Sequence, residues 1–117
     1  MIIVLAYPDR LLSPNGRAHW AAIARAKKAA RQSASWATIA AAGSKANLAP
    51  YQAHERIAVG VKFYPADNRR RDIDNALASL KAALDGISDA LGIDDSRFII
   101  VPQMMASDGR ARVEVVL

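Results

Sequence analysis

The stretch ERIAVGVKFY, residues 55–64, decides the fold class, because its apolar side chains recur at every second position. In a β-strand alternate side chains point to opposite faces, so Ile57, Val59, Val61 and Phe63 would share one face. The pattern therefore predicts a strand with one buried, strongly apolar face, and the rest of the chain has to supply the layer that covers it.

The segments before and after this strand show helical and strand-like patterns. An apolar run at residues 2–7 predicts a first strand, and an alanine-rich stretch at 18–42 predicts a long helix. After the central strand, apolar residues spaced three and four apart predict an amphipathic helix over 74–91. Residues 98–101 and 110–117 predict two further strands.

The order of these elements predicts an α+β fold, with a mixed sheet of about four strands packed against two main helices. Ser107, Asp108 and Gly109 predict a hairpin turn between the last two strands. With 117 residues and no low-complexity linker, the chain is expected to form one domain spanning residues 1–117. Trp20 and Trp36 are expected to anchor the core, as large aromatic residues usually do.

The chain is cationic, and its charges are distributed unevenly. The formal net charge of +5 divides into +7 for residues 1–62, with nine basic and two acidic side chains, and −2 for residues 63–117, with seven and nine. This asymmetry predicts a basic surface for a polyanion and a separate acidic cluster. The lack of cysteine and of a long apolar run predicts a cytoplasmic protein with no membrane partner.

The predicted first helix carries a basic flank. Arg25, Lys28 and Arg31 recur every three residues, and Lys27 lies four residues before Arg31, so these cations share one side of the helix. Arg17 would extend the flank if the helix begins before it. A phosphate backbone would relieve the repulsion among the cations, whereas a solvated face would tolerate it, and both interpretations stay open. Trp20 falls near this flank and could stack on a nucleic-acid base, although a core position is favoured for it.

The stretch RRRDIDN sets three arginines against two aspartates. If the chain is extended there, Asp72 and Asp74 point to the same side, and two or three carboxylates with a substrate phosphate are sufficient to bind Mg²⁺. Alternatively, Asp74 caps the following helix and Asp72 is a loop acid. The arginines that would hold a phosphate beside this pair are Arg69, Arg70 and Arg71.

Two further features could complete such a site. Lys81 lies on one stripe of the predicted helix with Asp74, and helical side chains lean toward the N-terminus, so Lys81 is expected to point toward Asp74. There it could stabilise phosphate charge or protonate a leaving oxygen; the alternative is a surface pair with Asp85. Asp94 and Asp95 precede the strand at residue 98, and if that strand lies beside the central one, a carboxylate there could close the metal site.

Together these motifs resemble the RusA family of Holliday-junction resolvases, most strongly over residues 65–98. The resemblance is carried by D-I-D-N from Asp72 to Asn75, by Asp85 four residues after Lys81, and by the following DD pair. The segment SPNGRAHW near the N-terminus is also similar to the family's segment before its first helix. One position departs from the pattern, since the family's lysine corresponds to Ala78 and the lysine here stands three residues later.

The resemblance implies a RusA-like, Mg²⁺-dependent and structure-selective endodeoxyribonuclease that resolves four-way DNA junctions in recombination and repair as a homodimer. It implies that Asp72, Asp74 and Asp95, rather than Asp94, hold Mg²⁺ and that Lys81 assists catalysis. The residues expected to contact DNA are Arg17, Arg25, Lys27, Lys28, Arg31, Arg69, Arg70 and Arg71. Two alternatives remain: a non-catalytic DNA- or RNA-binding module of the same fold, and a nuclease for other branched DNA.

Overall fold

The computed structural model describes residues 1–117, which form one four-stranded mixed sheet and three α-helices. The strands are β1 (Ile2–Leu5), β2 (Ile57–Tyr64), β3 (Phe98–Met104) and β4 (Arg112–Val116), and the helices are α1 (Trp20–Ala42), α2 (Ile73–Ser79) and α3 (Lys81–Leu91). Short 3₁₀ helices occupy Arg10–Leu12, Lys45–Ala53 and Asp95–Arg97. The strand order β1-β4-β2-β3 confirms the predicted α+β class.

The central strand β2 has the predicted alternation. Val59, Val61 and Phe63 are fully buried, and Ile57 is nearly so. The alternate apolar residues of β1 and β4 extend this buried face, and α3 covers it with Leu84, Ile87 and Leu91, among others. One side of the sheet therefore forms the core, while the other side, which no helix covers, leaves large apolar side chains exposed.

The helix predicted over 74–91 is divided into two. α2 ends at Ser79 and α3 begins at Lys81, with Leu80 between them at φ −91° and ψ −5°. Leu80 is 1% exposed, so its burial in the core holds the break in place. The apolar spacing predicted the buried side chains, but it did not predict this interruption of the helix.

The predicted hairpin between the last two strands is wrong. β3 pairs in parallel with β2, and β4 is inserted antiparallel between β1 and β2, so β2 separates β3 from β4. Gly109 does form a turn at φ +87°, but the connection passes over the end of β2, where the Ser107 N–H donates to Asn68 Oδ1 at 2.7 Å. β3 also continues through Pro102, which an edge strand tolerates because it needs fewer N–H donors.

α1 crosses α3 at close range through small residues. A Cβ placed on Gly86 would lie 2.0 Å from the backbone oxygen of Arg31, and the buried residues of α1 are Ala34 and Thr38. Such a crossing leaves no volume for an indole. The predicted core positions of Trp20 and Trp36 are therefore wrong, since these side chains are 74% and 62% exposed. Neither α1 nor any other helix has both the length and the apolar character needed to cross a bilayer.

Candidate functional site

A cleft of about 700 Å³ lies between α1, α3 and the segment that precedes α1. Its charged lining residues are Lys27, Lys28 and Arg31 from α1 and Lys81 and Asp85 from α3. Asp89 and Asp95, outside the lining, also pair with Arg31 and Lys81, so the cations of the cleft without a compensating acid are Lys27 and Lys28. A concave surface with uncompensated cations attracts anions. The crossing of α1 over α3 thus brings the basic flank of one helix to the predicted catalytic lysine of the other.

Lys81 donates hydrogen bonds to Asp85 Oδ1 at 2.5 Å and to Asp95 Oδ2 at 2.6 Å, while its side chain stays 61% exposed. Lys81 forms its ion pairs with Asp85 and Asp95 and none with Asp74, although both Lys81 and Asp74 line one smaller depression. The hydrogen bonds to Asp85 and Asp95 raise the pKa of Lys81. At neutral pH Lys81 is therefore a cation, suited to stabilise negative charge rather than to accept a proton.

Asp72 is the N-cap of α2. Its Oδ1 accepts a hydrogen bond from the Asp74 N–H at 2.9 Å, so the cap predicted for Asp74 belongs to Asp72. Asp74 lies in the first turn of α2, and both side chains are exposed. The capping bond occupies one carboxylate oxygen of Asp72 and leaves the other without a partner in the protein.

Two smaller depressions join these aspartates to the main cleft. The first, of about 230 Å³, contains Asp72 and Arg71 and shares Ser13 and Ser79 with the main cleft. The second, of about 500 Å³, contains Asp74 and shares Lys81 with the main cleft. A ligand lying in the main cleft against Lys81 would therefore be next to surfaces that carry each aspartate.

The structure does not bring Asp95 to Asp72 and Asp74. β3 does lie beside β2, but the parallel pairing sets Phe98 against Ile57, so Asp95 is near the start of β2 and Asp72 follows its other end. No three carboxylate or histidine side chains meet as a possible metal-binding group. Asp94 caps the following 3₁₀ helix through a 2.8 Å bond from the Ser96 N–H, and Asp95 holds Lys81.

The aspartates fit a magnesium site of restricted form. Mg²⁺ keeps several waters and is often bound by one or two carboxylates together with substrate phosphates. Asp72 and Asp74, exposed at the start of α2, can provide two such carboxylates. Asp95 is hydrogen-bonded to Lys81 in this structure, so substrate oxygens would complete the coordination around Asp72 and Asp74.

The three arginines of RRRDIDN have different surroundings. Arg71 donates to Asp67 Oδ1 at 2.9 Å and to the backbone oxygen of Asp67 at 2.7 Å, and its side chain is only 22% exposed. Arg69 binds the same carboxylate through its backbone N–H and its Nε, and these bonds, with that of Arg71, lower the pKa of Asp67 to about 2. Arg71 therefore holds the loop together, whereas Arg70 is exposed and forms no ion pair.

The cations of α1 are also unequal. Arg31 was predicted to belong to a flank of cations without a compensating acid. In the structure its Nε and Nη2 donate to Asp89 of α3 at 2.6 and 2.8 Å, so an ion pair joins the two helices. The Arg31 guanidinium lowers the pKa of Asp89. Lys27 and Lys28 are exposed, line the cleft and form no hydrogen bond or ion pair with another side chain, so they are the cations best placed to bind an anion.

Two of the predicted DNA contacts lie outside the cleft. Arg25 is exposed on α1 but does not line the main cleft. Arg17 is not helical, because α1 begins at Trp20, where the Nδ1 of His19 accepts from the Ala21 N–H at 3.2 Å and caps the helix. Arg17 and Arg25 can therefore contact only DNA that extends beyond the cleft.

Asp67 and Asp89 form ion pairs with arginines of the predicted site. The sequence interpretation gave neither aspartate a role. Asp67 lies four residues before Arg71, so its pairing could have been inferred from local spacing. Asp89 is 58 residues from Arg31, and only the crossing of α1 and α3 brings the two together. No local pattern indicates that second pair.

Comparison with known proteins found a relative but no matching family. No protein-family model matches the chain. A protein of Xylella fastidiosa (strain Temecula1 / ATCC 700964), described as an uncharacterized protein, is 38% identical over 100 residues. The aligned region covers 86% of this chain and 63% of the relative, so the chain spans less than two thirds of that protein's length. The relative's description includes no activity, so the similarity brings none to this chain.

Proposed function

We propose that the chain is a Mg²⁺-dependent endonuclease of the RusA type that acts on branched DNA, with four-way junctions as its principal substrate. The observation that carries this proposal is the cleft in which Lys27 and Lys28 of α1 face Lys81 of α3, adjoining the depression that holds Asp72. The D-I-D-N motif and the following lysine and aspartates support the chemistry, and the basic N-terminal half of the chain supports a polyanionic substrate.

The proposed roles follow from charge and position. Lys27 and Lys28 bind backbone phosphates, and Lys81, kept protonated and in place by Asp85 and Asp95, stabilises negative charge that develops on the phosphate being cleaved. Asp72 and Asp74 hold the metal. When bound, Mg²⁺ would offset charge on the phosphate oxygens and make a water molecule a stronger nucleophile.

This arrangement favours recognition of DNA shape rather than sequence. The cations of the cleft can bind phosphates, and phosphate contacts orient a protein on DNA without reading its bases. Arg69 and Arg70, exposed in the loop before α2, would hold a neighbouring phosphate beside Asp72. A structure-selective nuclease of recombination and repair needs this kind of contact.

The proposal is tested by incubating the purified protein with an end-labelled four-way junction in Mg²⁺ and, separately, in EDTA. We expect nicked duplex products only with Mg²⁺, and slower or no cleavage of a fork, a flap and a linear duplex of matching sequence. Preferential cleavage of the fork or flap would favour a nuclease for other branched DNA. Binding to the junction without cleavage in any divalent metal would favour the non-catalytic module.

We also propose that two copies of the chain pack through the uncovered face of the sheet. Ile2, Val116, Gly60 and Val101 lie side by side across all four strands on this face. Ile2 and Val101 are 57% and 58% exposed, which is unusual for large apolar side chains in a row.

The charges on this face suit a second copy better than DNA. The neighbouring row carries both Lys62 and Glu114, which are paired across β2 and β4. Arg112 of the same face donates to Glu114 at 2.8 Å, so the patch carries charges of both signs. A two-fold interface brings the same patch of each copy together, so a patch with both signs of charge can match its own copy. Two identical sites would also suit a four-way junction, in which two related strands have to be cut.

The dimer interface predicts a change of mass on substitution of Val101. We expect sedimentation equilibrium at about 20 µM to give twice the 12.6 kDa chain mass for the unmodified protein and the single-chain mass for Val101→Glu. The control is Ala40→Glu, which adds the same charge at an exposed position of α1 and should remain dimeric. A monomeric unmodified protein, or a dimeric Val101→Glu variant, would contradict this interface.

A further inference from the structure

Trp36 is a large aromatic side chain that the fold leaves in solvent. It is 62% exposed, and it lines a depression of about 350 Å³ together with Lys28, Arg31, Gln32, Ser35 and Asp89. Lys28, Gln32 and Trp36 follow one another at intervals of four residues, so they form a continuous stripe on α1. An exposed indole beside cations has the composition of a nucleotide-binding surface.

The depression at Trp36 continues the main cleft, because Lys28 and Arg31 line both. Trp36 lies eight positions after Lys28, which is about 12 Å along the helix axis. A DNA strand of B-form rise carries a phosphate every ~3.4 Å, so a strand could reach from the main cleft to Trp36 within about four nucleotides. Trp36 therefore lies at the far end of the same basic path that begins at Lys81.

The charges of the depression are compatible with a phosphate despite the presence of Asp89. That carboxylate accepts two hydrogen bonds from the Nε and Nη2 atoms of Arg31, which neutralise it and fix the guanidinium plane. The Nη1 atom of Arg31 has no partner in the protein, and Lys28 forms no ion pair. Two donors thus remain for phosphate oxygens, next to an aromatic face that every base can stack on.

We infer that Trp36 stacks on an unpaired base of the bound DNA, while Lys28 and Arg31 bind the phosphate beside that base. The inference rests on the proposed function, which places a DNA backbone in the main cleft. It adds a preference for DNA that exposes unpaired bases, such as a single strand or the crossover of a branched molecule. Paired bases in linear duplex have their faces covered by neighbouring pairs and would not gain from this contact.

The test compares Trp36→Ala with the matched control Trp20→Ala, since Trp20 is also exposed on the same helix but lies at its first residue, outside the depression. Binding is measured in EDTA by fluorescence anisotropy, with a labelled oligo-dT single strand, a four-way junction carrying unpaired thymines at its crossover, and a linear duplex. We expect Trp36→Ala to weaken binding of the first two by roughly 5- to 150-fold and to leave duplex binding unchanged. Trp20→Ala should bind all three normally.

The two tryptophans also allow a direct measurement. In a Trp20→Phe background Trp36 is the only tryptophan, and we expect the single strand, but not the duplex, to quench its fluorescence. A Trp36→Phe background should show no such quenching from Trp20.

Each outcome decides between the proposals. If the unmodified protein binds the junction but Trp36→Ala matches Trp20→Ala and Trp36 is not quenched, the stacking inference fails and the proposed cleft stands. If Trp36→Ala weakens duplex binding equally, unpaired bases are not what Trp36 recognises, and the inference again fails. If Trp36 fluorescence changes on dilution of the protein alone, the surface around Trp36 contacts protein rather than DNA, and the inference fails. If the unmodified protein binds none of the three DNAs, the proposed function fails first.

Discussion

Replacing Gly86 with alanine is expected to destabilise the protein strongly, although alanine favours helix formation by about 1 kcal/mol over glycine. The added Cβ would lie 2.0 Å from the backbone oxygen of Arg31 and 3.1 Å from the Cβ of Ala34. Backbone atoms cannot turn aside as a side chain can, so α1 has to move away from α3. Overpacking of this kind costs about 3 kcal/mol or more, and the melting temperature should fall by roughly 10 °C or more.

Gly60→Ala is the matched control for this prediction. A Cβ on Gly60 would meet the Cβ of Val116 at 3.6 Å, which is an ordinary contact. Its melting temperature should therefore equal or slightly exceed that of the unmodified protein, as expected for alanine in a strand. Thermal unfolding followed by circular dichroism measures both variants in the Val101→Glu background, which removes the proposed dimer, because Gly60 lies beside Val101 on the proposed dimer face. A Gly86→Ala variant as stable as the unmodified protein would show that the helices do not cross as described.

Asp72→Asn is expected to abolish DNA cleavage and preserve both the fold and junction binding. Asparagine caps helices about as well as aspartate does, so the bond from the Asp74 N–H can be kept and the melting temperature should hardly change. What the variant loses is the negative charge that the proposed metal site requires. We expect the single-turnover cleavage rate to fall at least ~100-fold, which is about 2.7 kcal/mol in the barrier.

The control for Asp72→Asn is Asp94→Asn, which makes the same chemical change at another capping residue, where Asp94 accepts from the Ser96 N–H. Asp94→Asn should cut the junction at the unmodified rate. Junction binding in EDTA should be at least as tight for Asp72→Asn as for the unmodified protein, because a negative charge near the phosphates is removed. Normal cleavage by Asp72→Asn would mean that the active site lies elsewhere.

Much of the fold could be predicted from local pattern. The alternation of Ile57, Val59, Val61 and Phe63 correctly identified the buried face of β2, because the geometry of a strand fixes the direction of each side chain. The interruption of the helix at Leu80 could not be predicted in the same way, since it depends on how Leu80 packs into the core of the folded protein. The core position predicted for Trp36 was wrong for a related reason. α1 packs against α3 through small residues, so its two tryptophans face solvent.

The candidate site was only partly predictable. The interaction of Lys81 with Asp85 was one of two alternatives that helical spacing allowed, and the structure confirms that pair. The position of Asp95 depended on strand direction. A strand next to β2 could have run either way, and the parallel pairing carried Asp95 to Lys81 instead of to Asp72.

The amino-acid sequence by itself determined the class of the fold, the buried face of β2 and the apolar stripe of the segment that forms α2 and α3, because these depend on short-range periodicity. It also supplied the residues that we propose bind phosphate and metal. Only the tertiary structure decided which of those residues meet. The insertion of β4 beside β2, the close crossing at Gly86 and the pairing of Arg31 with Asp89 join segments far apart in the chain. Such contacts form where whole surfaces pack together, and no local pattern records them.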